Sequence, residues 1–284
     1  MCHMLQSSFF QLAFKPLNKL LIFGVGLIGG SLALALKRAH AVQHVVGIGR
    51  AGDSLQSALD LGVIDEAADD LVTALAATDM VVIATPVAQI PDILTAITPY
   101  LGANTVVTDA GSTKCDVIRH ARSALPAHFP RFVAGHPIAG AEKSGVTAAL
   151  PDLFRDKNVV LTPTAETDPQ AVEAVSRMWQ AAGANICRMS AETHDGIFAA
   201  VSHLPHLLAF ALVDDLSRRA DAEQLFGFAA SGFRDFTRIA GSSPEMWRDI
   251  SLANREALLA ELDAYRHDLD QLRAMLQQGD GNGL

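Results

Sequence analysis

The chain has 284 residues, of which half are apolar and 19% are charged, and its 22 basic and 31 acidic residues leave a formal net charge of −9. This length suits two domains or one large one, and the apolar content argues against disorder. An acidic chain without a basic run is a poor candidate for binding nucleic acid or an anionic membrane surface. An anionic substrate would therefore need a few cations placed to hold it.

The compartment is predicted from the cysteines and the N-terminal residues. Three scattered cysteines without CxxC spacing are typical of a reducing compartment. The first 18 residues carry one charge, Lys15, and it follows the apolar patch rather than preceding it, unlike a signal peptide. We expect no apolar run of the roughly 20 residues that would span a membrane. The sequence thus predicts an N-terminal extension over residues 1–18 and a cytoplasmic protein.

Strand and helix patterns alternate along the first two thirds of the chain. A short apolar strand at residues 19–23 leads through glycines into a helix at residues 27–40. Further strands are predicted at residues 44–48, 79–84, 104–108, 132–134, 158–162 and 185–188. Helices at residues 53–61 and 168–183 lie between them. This alternation predicts an α/β domain over residues 19–189, a Rossmann-type parallel sheet covered on both faces.

After residue 190 the strand patterns stop and only helical patterns follow. A long apolar helix at residues 192–219 is interrupted by Pro205, and an amphipathic leucine stripe runs through residues 252–276. Shorter helices are predicted at residues 224–236 and 245–249. This much apolar helix surface exceeds what a domain of under 100 residues buries alone. We therefore expect an all-helical domain over residues 190–284 that forms a homodimer.

The sequence GVGLIG at residues 24–29 follows the first strand and opens the first helix. Gly24 permits a tight turn, Gly26 lets a pyrophosphate approach the backbone, and Gly29 lets helix and strand pack closely. Leu27 and Ile28 form the helix N-terminus that would face the phosphates. The segment Thr85-Pro86 ends a later strand, where ligands of open parallel sheets bind. These residues predict a dinucleotide site.

The choice between the two nicotinamide cofactors depends on the end of the second strand. An NAD site usually has a carboxylate there, about 20 residues after the glycine turn. Gly49 occupies the position and Arg50 follows it, a pair that suits a 2′-phosphate. NADP is therefore favoured and NAD remains possible, because Asp53 could supply the missing carboxylate if the loop bends back.

Four later segments carry further chemistry, and a family resemblance rests on them. They are DAGSTK at residues 109–114, GHPIAGAEKSG at 135–145, SHLPH at 202–206 and GFRDFTRIA at 232–240. Together with the glycine turn they resemble the prephenate/arogenate dehydrogenase family of tyrosine biosynthesis. The resemblance implies a Rossmann domain and a helical dimerisation domain. It also implies oxidative decarboxylation of a cyclohexadienol, with hydride passing to the nicotinamide and CO2 leaving as the ring becomes aromatic.

The resemblance implies which residues perform that reaction. His136 matches the group that takes or holds the proton of the 4-hydroxyl, a task suited to an imidazole with an ordinary pKa of about 6.5. Ser112 matches the hydroxyl that orients this histidine or touches the same substrate oxygen. We therefore expect both residues in the catalytic site.

The dicarboxylate substrate implied by the resemblance needs cations. Arg238 matches the arginine that binds a carboxylate, with Lys114 and His206 as supporting candidates. Glu142 matches an acidic residue that pairs with the arginine and gates access. Arg234, four residues before Arg238, is a weaker candidate of the same kind.

Several alternatives remain open on sequence alone. His194, His203 and His206 could suggest zinc, but no further ligand has a customary spacing, and we predict no metal. A β-hydroxyacid-type dehydrogenase would need a lysine in the helical domain, and none follows Lys157. A non-catalytic dinucleotide-binding protein would bind cofactor without turnover.

The choice between arogenate and prephenate also stays open, and Asp195 is a candidate partner for the ammonium group that distinguishes arogenate. About twenty residues follow residue 262, so we expect a monofunctional form without a fused mutase or regulatory domain.

Overall fold

The computed structural model describes residues 15–49, 53–141 and 143–284. Its larger sheet has six parallel strands in the order β3-β2-β1-β4-β5-β6. The strands are β1 (Leu17–Phe23), β2 (Val42–Ile48), β3 (Glu66–Ala67), β4 (Met80–Ile83), β5 (Val106–Asp109) and β6 (Phe132–Val133). This is the Rossmann strand order, and the predicted α/β fold class is confirmed. β1 begins at Leu17, so the last two residues of the predicted N-terminal extension belong to this strand.

Helices cover both faces of this sheet. They are α1 (Leu27–Arg38), α2 (Asp53–Asp60), α3 (Leu71–Leu75), α4 (Ile90–Ile97) and α5 (Cys115–Ala124). Along β1 the side chains alternate between two apolar clusters: Leu20 and Ile22 belong to one, Leu21 and Phe23 to the other. A strand with apolar residues on both faces must be central, and β1 lies between β2 and β4.

The last strands of the first domain form a separate sheet, where the sequence predicts one continuous parallel sheet. The strands are β7 (Gly135–Pro137), β8 (Asn158–Leu161) and β9 (Asn185–Arg188), with α6 (Pro169–Ala181) between β8 and β9. β7 is antiparallel to β8, and β8 is parallel to β9. His136 consequently lies on a strand of this second sheet. One residue, Ala134, separates β6 from β7, so the chain passes directly from one sheet to the other.

The helical domain follows and, over the described residues 190–284, contains six α-helices, one π-helical turn and one 3₁₀ turn (Arg238–Gly241). The helices are α7 (Ala191–Phe198), α8 (Leu204–Ser217), α9 (Ala222–Gly227), α10 (Ser231–Thr237), α11 (Pro244–Ala253) and α12 (Arg255–Gln278), and a π-helical turn (Ala199–His203) joins α7 to α8. The prediction that Pro205 interrupts the long helix is wrong. Pro205 lies in the first turn of α8, after the wider π turn, where its missing N–H is tolerated.

Much apolar surface of the helical domain is uncovered within one protomer. The segment Ala191–Ser217 is long and apolar enough to cross a membrane by length and composition, so the expectation that no apolar run reaches that length is wrong. Only 22% of its apolar window is buried. Leu269, Leu272 and Leu276 on α12 are exposed as well. Length and composition do not separate a membrane span from an interface helix, and His194 and His203 are buried polar groups on this segment.

Candidate active site

The three glycines of the first turn have different surroundings. Gly24 has a φ of +86°, and a Cβ there would lie 2.7 Å from the Ala84 carbonyl oxygen. A Cβ at Gly29 would lie 2.3 Å from the carbonyl oxygen of Gly24. A Cβ at Gly26 would meet nothing within 4 Å. Two glycines therefore permit close packing, and Gly26 leaves an open cradle against the backbone.

The surroundings of this cradle fit a dinucleotide. Gly26 precedes α1 without a side-chain cap, so the N–H groups at Leu27 and Ile28 remain for phosphate oxygens. Thr85, after β4, has a buried hydroxyl with no hydrogen-bond partner among the described residues, and Pro86 beside it is exposed. A bound nicotinamide dinucleotide supplies the hydride acceptor. The residues predicted for it thus lie at the carboxyl ends of β1 and β4.

Two predicted site residues, Arg50 and Glu142, lie outside the described residues. Gly49 is exposed directly after β2, and a Cβ there would only touch Leu55 at 3.6 Å. A small side chain at Gly49 would therefore meet only ordinary van der Waals contact.

His136 is half-buried on β7, and its neighbours are aromatic. Its Nδ1 lies 2.8 Å from Nε2 of His194, and the ring of Phe198 packs at 4.9 Å between centroids. Burial lowers the pKa of His136 well below 6.5, and the positive forms of His194 and Lys114 lower it further. The expectation of an ordinary pKa is therefore wrong. His136 is a neutral imidazole at neutral pH and is able to accept a proton.

Ser112 does not orient His136 in this structure. It is half-buried in the loop between β5 and α5, and no hydrogen bond joins it to His136 within the described residues. His194 makes that contact instead. We keep Ser112 as a candidate for the second role considered for it, contact with the substrate oxygen.

Lys114 is fully buried, which corrects its prediction as a substrate ligand. Its ammonium group donates to the Asp109 carboxylate and, at 2.6 Å, to the Gly135 carbonyl oxygen. Asp109 also accepts from the N–H of Gly135 at 3.1 Å. Lys114 and Asp109 therefore hold the backbone C=O and N–H of Gly135, the residue before His136. The Lys114 side chain is fully buried, so its ammonium group is not exposed to a ligand.

Asp195 is buried in a similar way, which removes it as a candidate partner for an arogenate ammonium group. Its two carboxylate oxygens accept the backbone N–H groups of Lys114 and Cys115, each at 2.8 Å. Burial raises its pKa, but the hydrogen bonds from His194 and these N–H groups outweigh it, and the net pKa is lowered. Asp195 is thus an ionised carboxylate at the start of α5.

His206 and Arg238 lie close together in the helical domain. Nδ1 of His206 donates to the Ser202 carbonyl oxygen at 2.8 Å, and its ring stacks on Trp247. Burial lowers the pKa of His206, and the charge of Arg238 lowers it further. Arg238 is exposed at the start of the turn Arg238–Gly241, which packs against α8.

Sequence reasoning missed several residues that build this site. On sequence alone His194 is only a possible zinc ligand and Asp109 only the first residue of a motif, and neither Trp247 nor Asn254 stands out. The available signal was a pair of adjacent ionisable residues, His194-Asp195, near the start of a largely apolar helix pattern. Among the described residues, no group of three or more His, Cys, Asp or Glu side chains is placed to hold a metal ion.

Comparison with known proteins connects this geometry to a family. A profile described as "Prephenate dehydrogenase, nucleotide-binding domain" matches residues 32–188. A second, "Prephenate dehydrogenase, dimerization domain", matches residues 190–284.

Individual relatives agree with these profiles. Prephenate dehydrogenase of Bacillus subtilis is 41% identical over 94% of this chain and 72% of its own length. Cyclohexadienyl dehydrogenase of Zymomonas mobilis is 37% identical over 93% of this chain and 90% of its own. The crystal structure of prephenate dehydrogenase from A. aeolicus, in complex with hydroxyphenyl propionate and NAD+, superposes with a TM-score of 0.88 at 38% identity, covering 93% of this chain and 92% of that one.

These matches extend over nearly the whole chain and include both the nucleotide-binding and the dimerisation domain. They confirm the predicted resemblance and the predicted class of oxidoreductase. They give no support to the β-hydroxyacid dehydrogenase or the non-catalytic binding protein. The chain belongs to the prephenate dehydrogenase family.

Proposed function

We propose that the protein oxidises and decarboxylates prephenate to 4-hydroxyphenylpyruvate in tyrosine biosynthesis. The observation that carries this proposal is the neutral imidazole of His136, which His194 holds in place. Its strand, β7, directly follows the edge strand β6 of the larger sheet. The same larger sheet carries the open dinucleotide cradle at Gly26. As hydride leaves the carbon that bears the hydroxyl, that carbon gains carbonyl character and the hydroxyl proton becomes acidic. His136 accepts this proton and returns it to the phenolic oxygen after CO2 has left.

The negative groups of the substrate need a separate site. We assign the carboxylate to Arg238, whose planar guanidinium offers two parallel donors. His206 lies beside Arg238 with its Nδ1–H donating to Ser202, which leaves Nε2 of the neutral ring as an acceptor that can donate to a carboxylate oxygen only when the ring is protonated. Glu142 is proposed to pair with the arginine when the site is empty.

Prephenate is proposed as a better substrate than L-arogenate. The acidic residue considered for the arogenate ammonium group, Asp195, is buried and already accepts two N–H groups and His194. The test is kcat/KM for both compounds, followed by the absorbance of reduced cofactor. Turnover of neither compound would overturn the proposed function. A higher kcat/KM for arogenate would overturn the proposed preference.

We propose that NADP is preferred and that NAD is also used. Gly49 removes the carboxylate that repels a 2′-phosphate, and Arg50 follows with a charge that can pair with it. A hydrogen bond to a charged partner is worth about 1.5–3 kcal/mol, or roughly 10- to 100-fold in affinity. We therefore expect Arg50→Ala to lower kcat/KM for NADP by that factor and to leave NAD unchanged. A wild type that prefers NAD, with the same cofactor ratio in Arg50→Ala, would contradict this.

We propose a cytoplasmic homodimer formed through residues 190–284, with residues 19–189 as the cofactor-binding domain. Support comes from the exposed apolar faces of Ala191–Ser217 and α12. A second copy covering these faces would bury them without a membrane. Light scattering should give twice the chain mass for wild type and a monomer for Leu272→Glu. Leu61→Glu changes an equally exposed leucine of the first domain and should remain dimeric. A wild-type monomer at micromolar concentration would disprove the dimer.

A further inference from the structure

Three side chains form a continuous hydrogen-bonded chain that ends at His136. Nδ1 of His136 lies 2.8 Å from Nε2 of His194, and Nδ1 of His194 lies 2.8 Å from Oδ1 of Asp195. His194 is fully buried, and Asp195 is 4% exposed. Water therefore has little access to the inner two members, and each proton in the chain must be placed by the protein.

The protonation states of these three hydrogen-bonded side chains follow from that of Asp195, the member farthest from the substrate side. The Asp195 carboxylate accepts the N–H of Lys114 at one oxygen and the N–H of Cys115 at the other. These groups form the uncapped N-terminal turn of α5, where a negative charge is favoured. An ionised carboxylate only accepts hydrogen bonds, so Nδ1 of His194 must carry the proton between them.

The tautomer of His136 follows from that of His194. A neutral imidazole carries one N–H, so Nε2 of His194 has a lone pair and accepts. Nδ1 of His136 must then donate to it, and Nε2 of His136 is left with its own lone pair. This is the ring nitrogen that a substrate hydroxyl needs as its proton acceptor.

We infer that His194 and Asp195 are positioning residues that fix His136 in the tautomer with a basic Nε2. Orientation is their first effect, because two hydrogen bonds and contact with Phe198 hold the rings. Charge is their second effect: when His136 takes up a proton, its Nδ1–H bond to the His194–Asp195 pair strengthens. The inference depends on the proposed function only in giving His136 the role of base.

Other ionisable groups surround the two imidazoles and enter any pH measurement. Lys114 faces them from the start of α5, Asp109 from the end of β5, and His203 from the π turn, while Cys115 faces Asp195. Lys114 and His203 oppose a positive charge on His136, whereas Asp195 and Asp109 favour one on His194. Asp195 is the member of this set that hydrogen-bonds to His194.

The tautomer itself is measurable by 15N NMR of the full-length protein without substrate. In wild type we expect His136 to be protonated at Nδ1. His194→Phe keeps a flat ring but removes the acceptor, and His136 should shift towards the Nε2-protonated form that free imidazole side chains favour. His194→Gln offers an amide oxygen to the Nδ1–H and should restore the wild-type tautomer. His128→Gln, at the opposite end of β5, is the matched control and should change nothing.

Kinetics give the second measurement. A wrong tautomer lowers kcat by about 10⁴-fold in the Ser-His-Asp triad, where a carboxylate likewise holds the catalytic histidine. We expect a loss of that order for His194→Phe, with cofactor KM unchanged, and partial rescue in His194→Gln. Asp195→Asn should lower kcat in the same direction.

The two results separate this inference from the proposed function. His136 protonated at Nε2 in wild type, or an identical tautomer in His194→Phe, would overturn the inference. The expected tautomers in a protein that does not turn over prephenate would support the inference and overturn the proposed function instead.

Discussion

The imidazole of His206 lies flat on the indole of Trp247, with ring centroids 3.5 Å apart and planes 18° from parallel. Trp247 is almost fully buried on α11, so the stacked ring is held by the core of the helical domain. With its Nδ1 bonded to Ser202, His206 has little rotational freedom. The stack therefore fixes one wall of the proposed substrate site next to Arg238.

Replacing Arg238 tests the carboxylate site. A hydrogen bond to a charged group is worth about 1.5–3 kcal/mol, so Arg238→Gln should raise KM for prephenate roughly 10- to 100-fold. KM for the cofactor should stay nearly unchanged. Arg218→Gln, an exposed arginine directly after α8 with no proposed substrate contact, is the matched control. If Arg238→Gln leaves the prephenate KM at its wild-type value, the guanidinium has no contact with substrate.

Replacing His136 tests the proton acceptor. His136→Asn keeps a polar side chain of similar shape and removes the basic ring nitrogen. We expect kcat to fall about 10²- to 10⁴-fold, because general base catalysis supplies a factor of that size. The dissociation constant of the cofactor, measured by titration without substrate, should change little. Near-normal turnover of this variant would exclude His136 as the base.

The lowered pKa of His136 predicts the pH profile. The base acts only when neutral, so activity rises with pH through its pKa. Because burial, His194 and Lys114 lower that pKa well below 6.5, the rising limb of kcat/KM should lie well below pH 6.5. Activity should already be on its plateau at that pH. A half-maximal kcat/KM near pH 6.5 would show that His136 keeps the ordinary value.

The glycine turn gives a pair of variants with different outcomes. Gly26→Ala places a methyl group in open space, so the protein should fold with unchanged stability. The Kd for the cofactor should nevertheless rise about tenfold or more, since the methyl occupies the cradle. Gly29→Ala places a Cβ 2.3 Å from the Gly24 carbonyl oxygen and should lower the free energy of unfolding by about 1–3 kcal/mol or more. Equal effects of both variants on stability would be inconsistent with this geometry.

His203 predicts how stability depends on pH. Burial lowers its pKa to about 4, and its Nδ1 accepts from Asn254 at 3.1 Å. Between about pH 4 and 6.5 the unfolded chain binds a proton that the folded chain excludes, so stability falls as pH falls through this window. Across this window the proton excluded from His203 lowers the free energy of unfolding by about 3 kcal/mol. Urea titrations of wild type and His203→Gln across this range should show a shallower loss in the variant. Identical slopes would mean that His203 is not the group responsible.

Local pattern was sufficient for the framework of the protein. The spacing of Gly24, Gly26 and Gly29 after an apolar strand predicts the dinucleotide turn, because the positive φ of Gly24 and the contact of Gly29 with the Gly24 carbonyl oxygen arise within the turn itself. Strand and helix periodicity likewise gives the alternating first domain and the helical second domain, since both depend on residues within a few positions. The family resemblance added His136 and Arg238 by motif.

The partners of those residues depended on tertiary structure. His136 and His194 are 58 positions apart, and Lys114 and Asp195 are 81 apart. Whether Lys114 faces a ligand or a buried carboxylate depends on how β5, β7 and α7 pack. This packing cannot be predicted from the residues next to Lys114 in the sequence. The lowered pKa of His136 has the same origin, because burial and neighbouring charges, not residue type, set the energy of its charged form.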